Sequence, residues 1–422
     1  MQFGVDCPPA KRLRTAMTKS PRDVCVVGVA RTPVGSFQGK LSTFTAPQLA
    51  AVAIREALAR ASVAPQDVEE LILGHVLSAG VGQAAAKQAA VSAGLPSTVP
   101  CSTVNKVCAS GMKALMFGAQ SIMLGLRDVI VVGGMESMSQ APHLSSKART
   151  GARFGELVFT DAIQTDGLVD AFDKIPMGDL AEACAHQYGV TREAQDHFAA
   201  DSYARSLKAT REGKFQSEIV PVEVKTRKET LVVTEDEEVV AREVNVATLS
   251  KLRTCFTPPS DSSVGATVTP GNASTINDGA AALVLMSRAK AEALGLESKI
   301  RAVVRGFADA EQDAKAFTTS PTLAIPKALA HANLTVGDVD FFEINEAFSV
   351  VAVANSKLLE LPDTSKVNVY GGAVSIGHPL GCSGARIIVT LTSVLQQEGG
   401  RYGCAAVCNG GGGASAVVLE RE

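Results

Sequence analysis

Ala53-Ile54-Arg55-Glu56-Ala57-Leu58-Ala59-Arg60-Ala61, leading to Asp67-Val68, recurs as Ala324-Ile325-Pro326-Lys327-Ala328-Leu329-Ala330-His331-Ala332, leading to Asp338-Val339. Residues 53–76 run against 324–347 without a gap, and eight positions are identical. Each copy is helical in period and then turns into a short apolar run, so each reads as a helix followed by a strand. A helix–strand unit that returns far down the chain implies two copies of one domain. The register nearly persists, because Ser110-Gly111-Met112-Lys113 finds Ser383-Gly384-Ala385-Arg386 and Val131-Val132-Gly133-Gly134 has a rough counterpart in Val407-Cys408-Asn409-Gly410. If the copies pair about a pseudo-twofold axis, equivalent loops meet, and those loops carry Cys108 and His378.

Around the first copy, Asp23 to Ala30 reads as a buried strand, Asp67 to Gly74 as a second and Asp128 to Gly134 as another, with helices over Ala50–Ala61, Gln83–Gly94 and from Cys108 to near Gly125. Strands alternating with helices predict an α/β fold with a mostly parallel sheet. Residues from about 145 to 260 fit neither copy. They hold a helical segment from Gly178 to Tyr188, a capped helix opening at Thr191, and short strands near Ile219–Val224 and Leu231–Thr234. With Lys214, Lys225, Arg227, Lys228, Arg242, Lys251 and Arg253, this insertion suits either a lid over an anionic ligand or a solvated surface. The boundaries expected are an extension over 1–22, a first half from 23–144 plus 261–292, the insertion 145–260 and a second half 293–422.

Composition narrows the class. The 422 residues are 46% hydrophobic with a formal charge of −3, which gives no electrostatic case for nucleic acid, and no apolar run reaches the length of a membrane span. The nine cysteines form no CxxC pair, and they read as free thiols of a reducing compartment. Residues 1–22 carry Lys11, Arg12, Arg14, Lys19 and Arg22 against Asp6 alone, a pattern open to a disordered solvated tail or a mitochondrial presequence. The cytoplasm is the expected compartment, with the mitochondrial matrix as the alternative.

Cys108 stands where a loop becomes an Ala- and Met-rich helix, and the free N–H groups and dipole of a helix start favour thiolate over thiol. The second copy adds His378 in Gly377-His378-Pro379, the polar pair Asn345-Glu346 at a strand end, and Cys408 ahead of four glycines. The chemistry this suggests is a cysteine nucleophile activated by a histidine, a second cysteine as base, and backbone or amide donors for oxyanions. Metal binding by Cys108, His378 and Cys408 lacks ligand-pair spacing, and Gly80-Val81-Gly82 lacks the third glycine of a dinucleotide fingerprint.

These residues resemble the thiolases, in particular the acetyl-CoA acetyltransferase branch. The resemblance spans about residues 23–420 and rests on Asn105 to Gly111, Gly133-Gly134-Met135-Glu136-Ser137-Met138-Ser139, Asn345-Glu346-Ala347-Phe348, Gly377-His378-Pro379 and Cys408-Asn409-Gly410-Gly411-Gly412-Gly413. It implies the thiolase fold, two βαβαβαββ halves in a five-layered αβαβα arrangement with an inserted CoA-binding loop domain. It further implies that Cys108 carries an acetyl group, His378 activates it, and Cys408 moves the alpha proton of a second acetyl-CoA. Asn345 and His378 then form one oxyanion site, and the N–H groups of Cys108 and Gly410 the other. Ser274 is the expected pantetheine contact, with Met177, Arg253, Ala273 and Phe348 also facing substrate or CoA.

No covalently bound cofactor is implied, CoA thioester being a substrate, while K⁺ near Tyr203, Ala273 and Val374 is. The partners implied are acetyl-CoA, acetoacetyl-CoA and CoA, with no nucleic acid or membrane, in a homotetramer built as a dimer of dimers. Two alternatives stay open, a longer-chain 3-ketoacyl-CoA thiolase and a non-catalytic acyl-CoA or lipid carrier on the same fold. One departure from the family pattern is Pro176-Met177-Gly178, where the family has His-Met-Gly bordering the acyl pocket.

Overall fold

The computed structural model describes residues 19–241, 244–361 and 364–422, so the basic residues Lys11, Arg12 and Arg14, and Arg242 of the insertion, lie outside the described residues. In the first half, strands β1 (Val24–Arg31), β2 (Glu70–Gly74), β3 (Cys101–Val104), β4 (Val129–Ser137) and β5 (Asn277–Ser287) enclose helices α1 (Ala46–Ala61), α2 (Ala85–Ala93) and α3 (Ser110–Met123). Between β4 and β5 the chain leaves the sheet, and there it forms α4 (Met177–Tyr188) and α5 (Arg192–Arg211). The second half runs β6 (Ala302–Glu311), α6 (Pro321–His331), β7 (Phe341–Ile344), α7 (Ser349–Leu358), α8 (Leu380–Gln397), β8 (Tyr402–Asn409) and β9 (Gly413–Arg421).

Both halves follow βαβαβαββ, although the third strand of the second half shrinks to a bridge between Val367 and Phe342. The repeat reaches into detail. Gly28 of β1 lies against Ala57 and Ala61 of α1, and Gly306 of β6 lies against Ala328 and Ala332 of α6, so close that a Cβ would stand 2.3 Å and 2.4 Å from the facing carbonyl oxygens. The ladder slips at the same place in each strand, between Val26 and Gly28 and between Val304 and Gly306.

The sheet is mixed, which corrects the mostly parallel expectation. Its order is β7-β8-β9-β6-β1-β5-β4-β2-β3. Only β2–β3, β2–β4 and β7–β8 are parallel among these neighbours. The last strand of each half returns without a crossover helix and slots between two strands antiparallel to it. In the second half that return is the tight turn Gly410–Gly412, whereas the first half opens the same connection to admit the insertion. Val24 to Val26 pair with Val304 to Ala302 and join the two half-sheets.

Helices α1 and α2 cover one outer face, α6 covers the other, and α3 and α8 lie between the half-sheets. Helix α8 is buried on every side from Leu380 to Leu395, its polar stripe of Ser383, Arg386, Thr390 and Ser393 included. α3 and α8 touch backbone to backbone: a Cβ on Gly111 would stand 2.8 Å from the Ala385 nitrogen, and one on Gly384 2.6 Å from the Met112 nitrogen. Ion pairs across the halves reinforce this seam, with Lys113 on Asp309 at 2.6 Å and Lys106 on Asp309 at 3.2 Å. Residues 19–22, grouped above with the extension, are anchored instead, since the Arg22 guanidinium donates to Asp128 at 2.6 Å and to the Arg127 carbonyl at 2.8 Å.

Gly384→Ala drives a methyl into the α3 backbone, and overpacking of that kind costs about 3 kcal/mol. Gly337→Ala, whose nearest neighbour would be Thr335 Oγ1 at 3.9 Å, changes stability by less than about 0.5 kcal/mol. Denaturant midpoints of the two variants measure the difference.

Candidate active site

The loop before α3 is bent by Asn105, whose Oδ1 accepts from the Val107 N–H at 2.9 Å. Val107 has φ 47°, an unusual conformation for a β-branched residue, and it turns Cys108 into the space above the helix start. Cys108, His378 and Gly410 line one cavity of about 290 Å³. The Gly410 N–H and the N–H of Cys108 itself are directed at the Cys108 sulfur. Cys408, 1% exposed, sits behind the cavity in an apolar cluster with Met177, Phe317 and Ala347, which also form the wall. The three reactive side chains therefore converge, although their loops belong to different halves.

The resting charge state differs from the helix-start expectation. Burial pushes the Cys108 thiol up to about 12, against the two backbone N–H groups that pull it down. Burial and the neighbouring Cys108 raise Cys408 as well. Burial, then the Arg386 charge, lowers His378 to about 3. Desolvation outweighs a helix start worth at most about 2 kcal/mol, so the pair rests as neutral thiol and neutral imidazole.

Proton accounting assigns the imidazole tautomer. The Ser383 hydroxyl donates its only hydrogen to the Pro379 carbonyl at 2.9 Å, so at 2.6 Å from His378 Nδ1 it must accept. Nδ1 then carries the proton and Nε2 keeps its lone pair, facing the Asn345 amide nitrogen at 3.5 Å. The Asn345 Oδ1 is buried without a hydrogen-bond partner, a polar atom left for something that enters the cavity. The backbone of this turn is held from the first half, where Asn277 Oδ1 accepts from the His378 N–H at 2.9 Å.

Ser274 lies in the wall and its hydroxyl donates to the Ala347 carbonyl at 2.8 Å, while Ala273 bridges to Phe348. Met177, Ala273 and Phe348 are in the wall too, as is Pro176 at the start of α4. Phe348 meets Phe256 edge to face at 6.3 Å, and Gly178 makes room for that ring. Arg253 is exposed and lies outside the wall. The lid cations fare similarly: Lys214 is engaged by Glu398 at 2.7 Å, and Lys225, Arg227, Lys228 and Lys251 are exposed and absent from the wall. Tyr203 and Val374 share a small buried cluster, with Ala273 in a separate one.

Sequence reasoning missed Ser383 as a partner of His378, and it missed the apolar walls Phe256, Phe317, Leu168 and Ile276. A serine five residues after the histidine, on the opening turn of the next helix, is the signal that was available for the first.

Residues 24–289 match the thiolase N-terminal domain and residues 298–421 the thiolase C-terminal domain. Acetyl-CoA acetyltransferase 2 of Arabidopsis thaliana is 54% identical over 409 residues, covering 96% of this chain and 99% of that protein. The crystal structure of the Bacillus anthracis acetyl-CoA acetyltransferase superposes with a TM-score of 0.90 at 38% identity, over 95% of this chain and 99% of that one. A thiolase of Ascaris suum, solved in complex with coenzyme A, gives 0.88 at 41% identity over 95% and 100%.

Ser383→Ala removes the acceptor that fixes the Nδ1 proton, so the imidazole presents the wrong tautomer part of the time. The rate of Cys108 alkylation by iodoacetamide falls about tenfold, less than the roughly hundredfold or more of losing the base outright, while the thermal midpoint stays within a few degrees of the parent.

Proposed function

Because the chain belongs to the thiolase family, we infer from its own cavity that it is an acetyl-CoA C-acetyltransferase. It interconverts two acetyl-CoA with acetoacetyl-CoA and CoA through an acetyl-cysteine, and the observation that carries the reading is the convergence of Cys108, His378 and Gly410 on one cavity backed by Cys408.

The Cys108 sulfur attacks the thioester carbonyl of the first acetyl-CoA as its proton passes to His378 Nε2. Starting from two neutral groups, this makes charge only while the substrate is present, where the N–H groups of Cys108 and Gly410 receive the developing oxyanion. The carbon–sulfur bond to CoA breaks, CoA leaves with the proton of the neutral Cys408 thiol, and the acetyl group remains on Cys108 with Cys408 now a thiolate and His378 still protonated. The second acetyl-CoA then loses an alpha proton to Cys408. Its enolate oxygen faces His378 and Asn345, whose unpartnered Oδ1 suits a bridging water. The carbanion attacks acetyl-Cys108, the carbon–sulfur bond breaks, and the His378 proton returns to the departing Cys108 sulfur, so both cysteines end as thiols and the imidazole neutral. The apolar cavity keeps water from hydrolysing the thioester. The pantetheine arm runs past Ser274, and Met177, Ala273 and Phe348 line its approach.

We further propose a K⁺ near Tyr203, Ala273 and Val374. Its support is a buried acidic side chain beside Val374, since Glu346 accepts from the Val374 N–H at 3.1 Å. A homotetramer is supported by the exposed Phe154, Phe159 and Phe172 of the insertion, an apolar set that association would cover. We propose the cytoplasm, with the mitochondrial matrix as the alternative, since the eight described cysteines, all free, suit a reducing compartment.

Purified protein given CoA and acetoacetyl-CoA loses the enolate absorbance, and it turns over C4 substrate faster than C8 to C16 substrates. Cys108→Ser abolishes both directions. Cys408→Ser still shows the mass of one acetyl group on Cys108 after exposure to acetyl-CoA, with condensation slowed at least about a hundredfold. An unacetylated Cys108 in that variant overturns the division of labour. Replacing K⁺ by Na⁺ lowers activity severalfold, and light scattering gives the mass of four subunits.

A further inference from the structure

Glu136 is fully buried at the junction where the two halves meet, and the steps above do not use it. Its Oε2 accepts from the Val76 N–H at 3.1 Å and from the Gly381 N–H at 2.8 Å, and its Oε1 accepts from the Leu77 N–H at 3.1 Å. His75 Nε2 stands 3.2 Å from Oε1. One carboxylate thus joins the segment after β2 to the opening turn of α8.

Each of those segments leads directly to a reacting group. The His75 N–H donates to the Val104 carbonyl at 3.0 Å, and Asn105 Nδ2 reaches the Val76 carbonyl at 3.5 Å; Asn105 is also the residue that bends the loop at Val107 and so aims Cys108. On the other side Gly381 follows His378-Pro379-Leu380 in sequence. The backbones are packed too tightly for any other connector: a Cβ on Gly134 would stand 2.1 Å from the Gly381 oxygen, one on Gly74 2.3 Å from the Gly111 nitrogen, and one on Gly381 2.8 Å from His75 Cα.

We propose that Glu136 is a positioning residue that sets the Cys108 sulfur against the His378 imidazole by tying the β2 and α8 segments at one buried point, with His75 orienting its carboxylate. The carboxylate itself touches neither substrate nor the transferred proton. Three backbone N–H groups converge on the two oxygens, with His75 Nε2 beside one of them, so a neutral amide of the same shape satisfies one side and turns an NH₂ against N–H groups on the other. The two loops then separate by a fraction of an ångström, enough to weaken a proton transfer that depends on hydrogen-bond contact. The proposal rests on the catalytic reading of Cys108 and His378.

Glu136→Gln in the full chain lowers kcat for thiolysis about thirtyfold while KM for acetoacetyl-CoA stays within about threefold, and it slows Cys108 acetylation to the same degree. His75→Gln, which keeps a donor at Oε1, retains at least fivefold more kcat than His75→Leu. This pair carries the test if Glu136→Gln does not fold. A kcat for Glu136→Gln within twofold of the parent, or equal losses in both His75 variants, overturns the proposal. Cys108→Ser, run alongside, separates the two readings: if it remains active, the catalytic reading itself has failed, and if it is dead while Glu136→Gln is unimpaired, only the positioning role has.

Discussion

Everything in this structure depends on two helices that touch without side chains between them. Gly111 and Gly384 face each other's backbones reciprocally, so α3 and α8 lie closer than side-chain-separated helices, commonly about 8–10 Å apart. Their N-termini consequently lie side by side, and a nucleophile loop from one half and a base-bearing turn from the other face a single cavity. Packing of this kind tolerates almost no adjustment, because the atoms in contact are main chain and cannot change rotamer. The surrounding ion pairs of Lys106 and Lys113 with Asp309 bind the same seam.

The cavity then uses burial in two opposed ways. Desolvation holds Cys108 protonated and His378 neutral, so the free protein keeps no standing ion pair there. The same dry wall strengthens the pull of the Cys108 and Gly410 N–H groups once an oxyanion forms. Reactivity is thereby coupled to the presence of a thioester. The neighbouring buried carboxyls follow the same physics: burial raises Glu343 to about 8 despite Arg386 nearby, and raises Glu346 despite Asn368 and Ser202 hydrogen-bonding to it.

The duplication and the reactive residues were legible because both are linear patterns. Eight identities in register do not require a fold to be seen, and a cysteine at a helix start, a histidine in a glycine-rich turn and a cysteine before four glycines keep their meaning in one dimension. What was not legible depends on neighbours remote in sequence. The protonation of Cys108 is decided by burial, which no local motif states. The mixed sheet arises because β5 and β9 each slot in beside a strand laid down much earlier, β1 and β6. The walls Phe256 and Phe317 come from elements on either side of β5 and β6, and Ser383 is tied to His378 only by counting where one hydroxyl hydrogen can go.

The β8–β9 turn and the insertion occupy corresponding positions in the two halves, and this has a bearing on how such a molecule came to have one reaction centre. A doubled skeleton offers two mirrored mouths, yet only one is roofed, because one copy kept a four-glycine bend and the other exchanged it for more than a hundred residues of added chain. The position matching Cys108 in the second copy is Gly381, and that matching His378 in the first is Asn105. Each copy thus supplies a reacting group that the matching position of the other lacks, so neither can be lost without silencing its sibling.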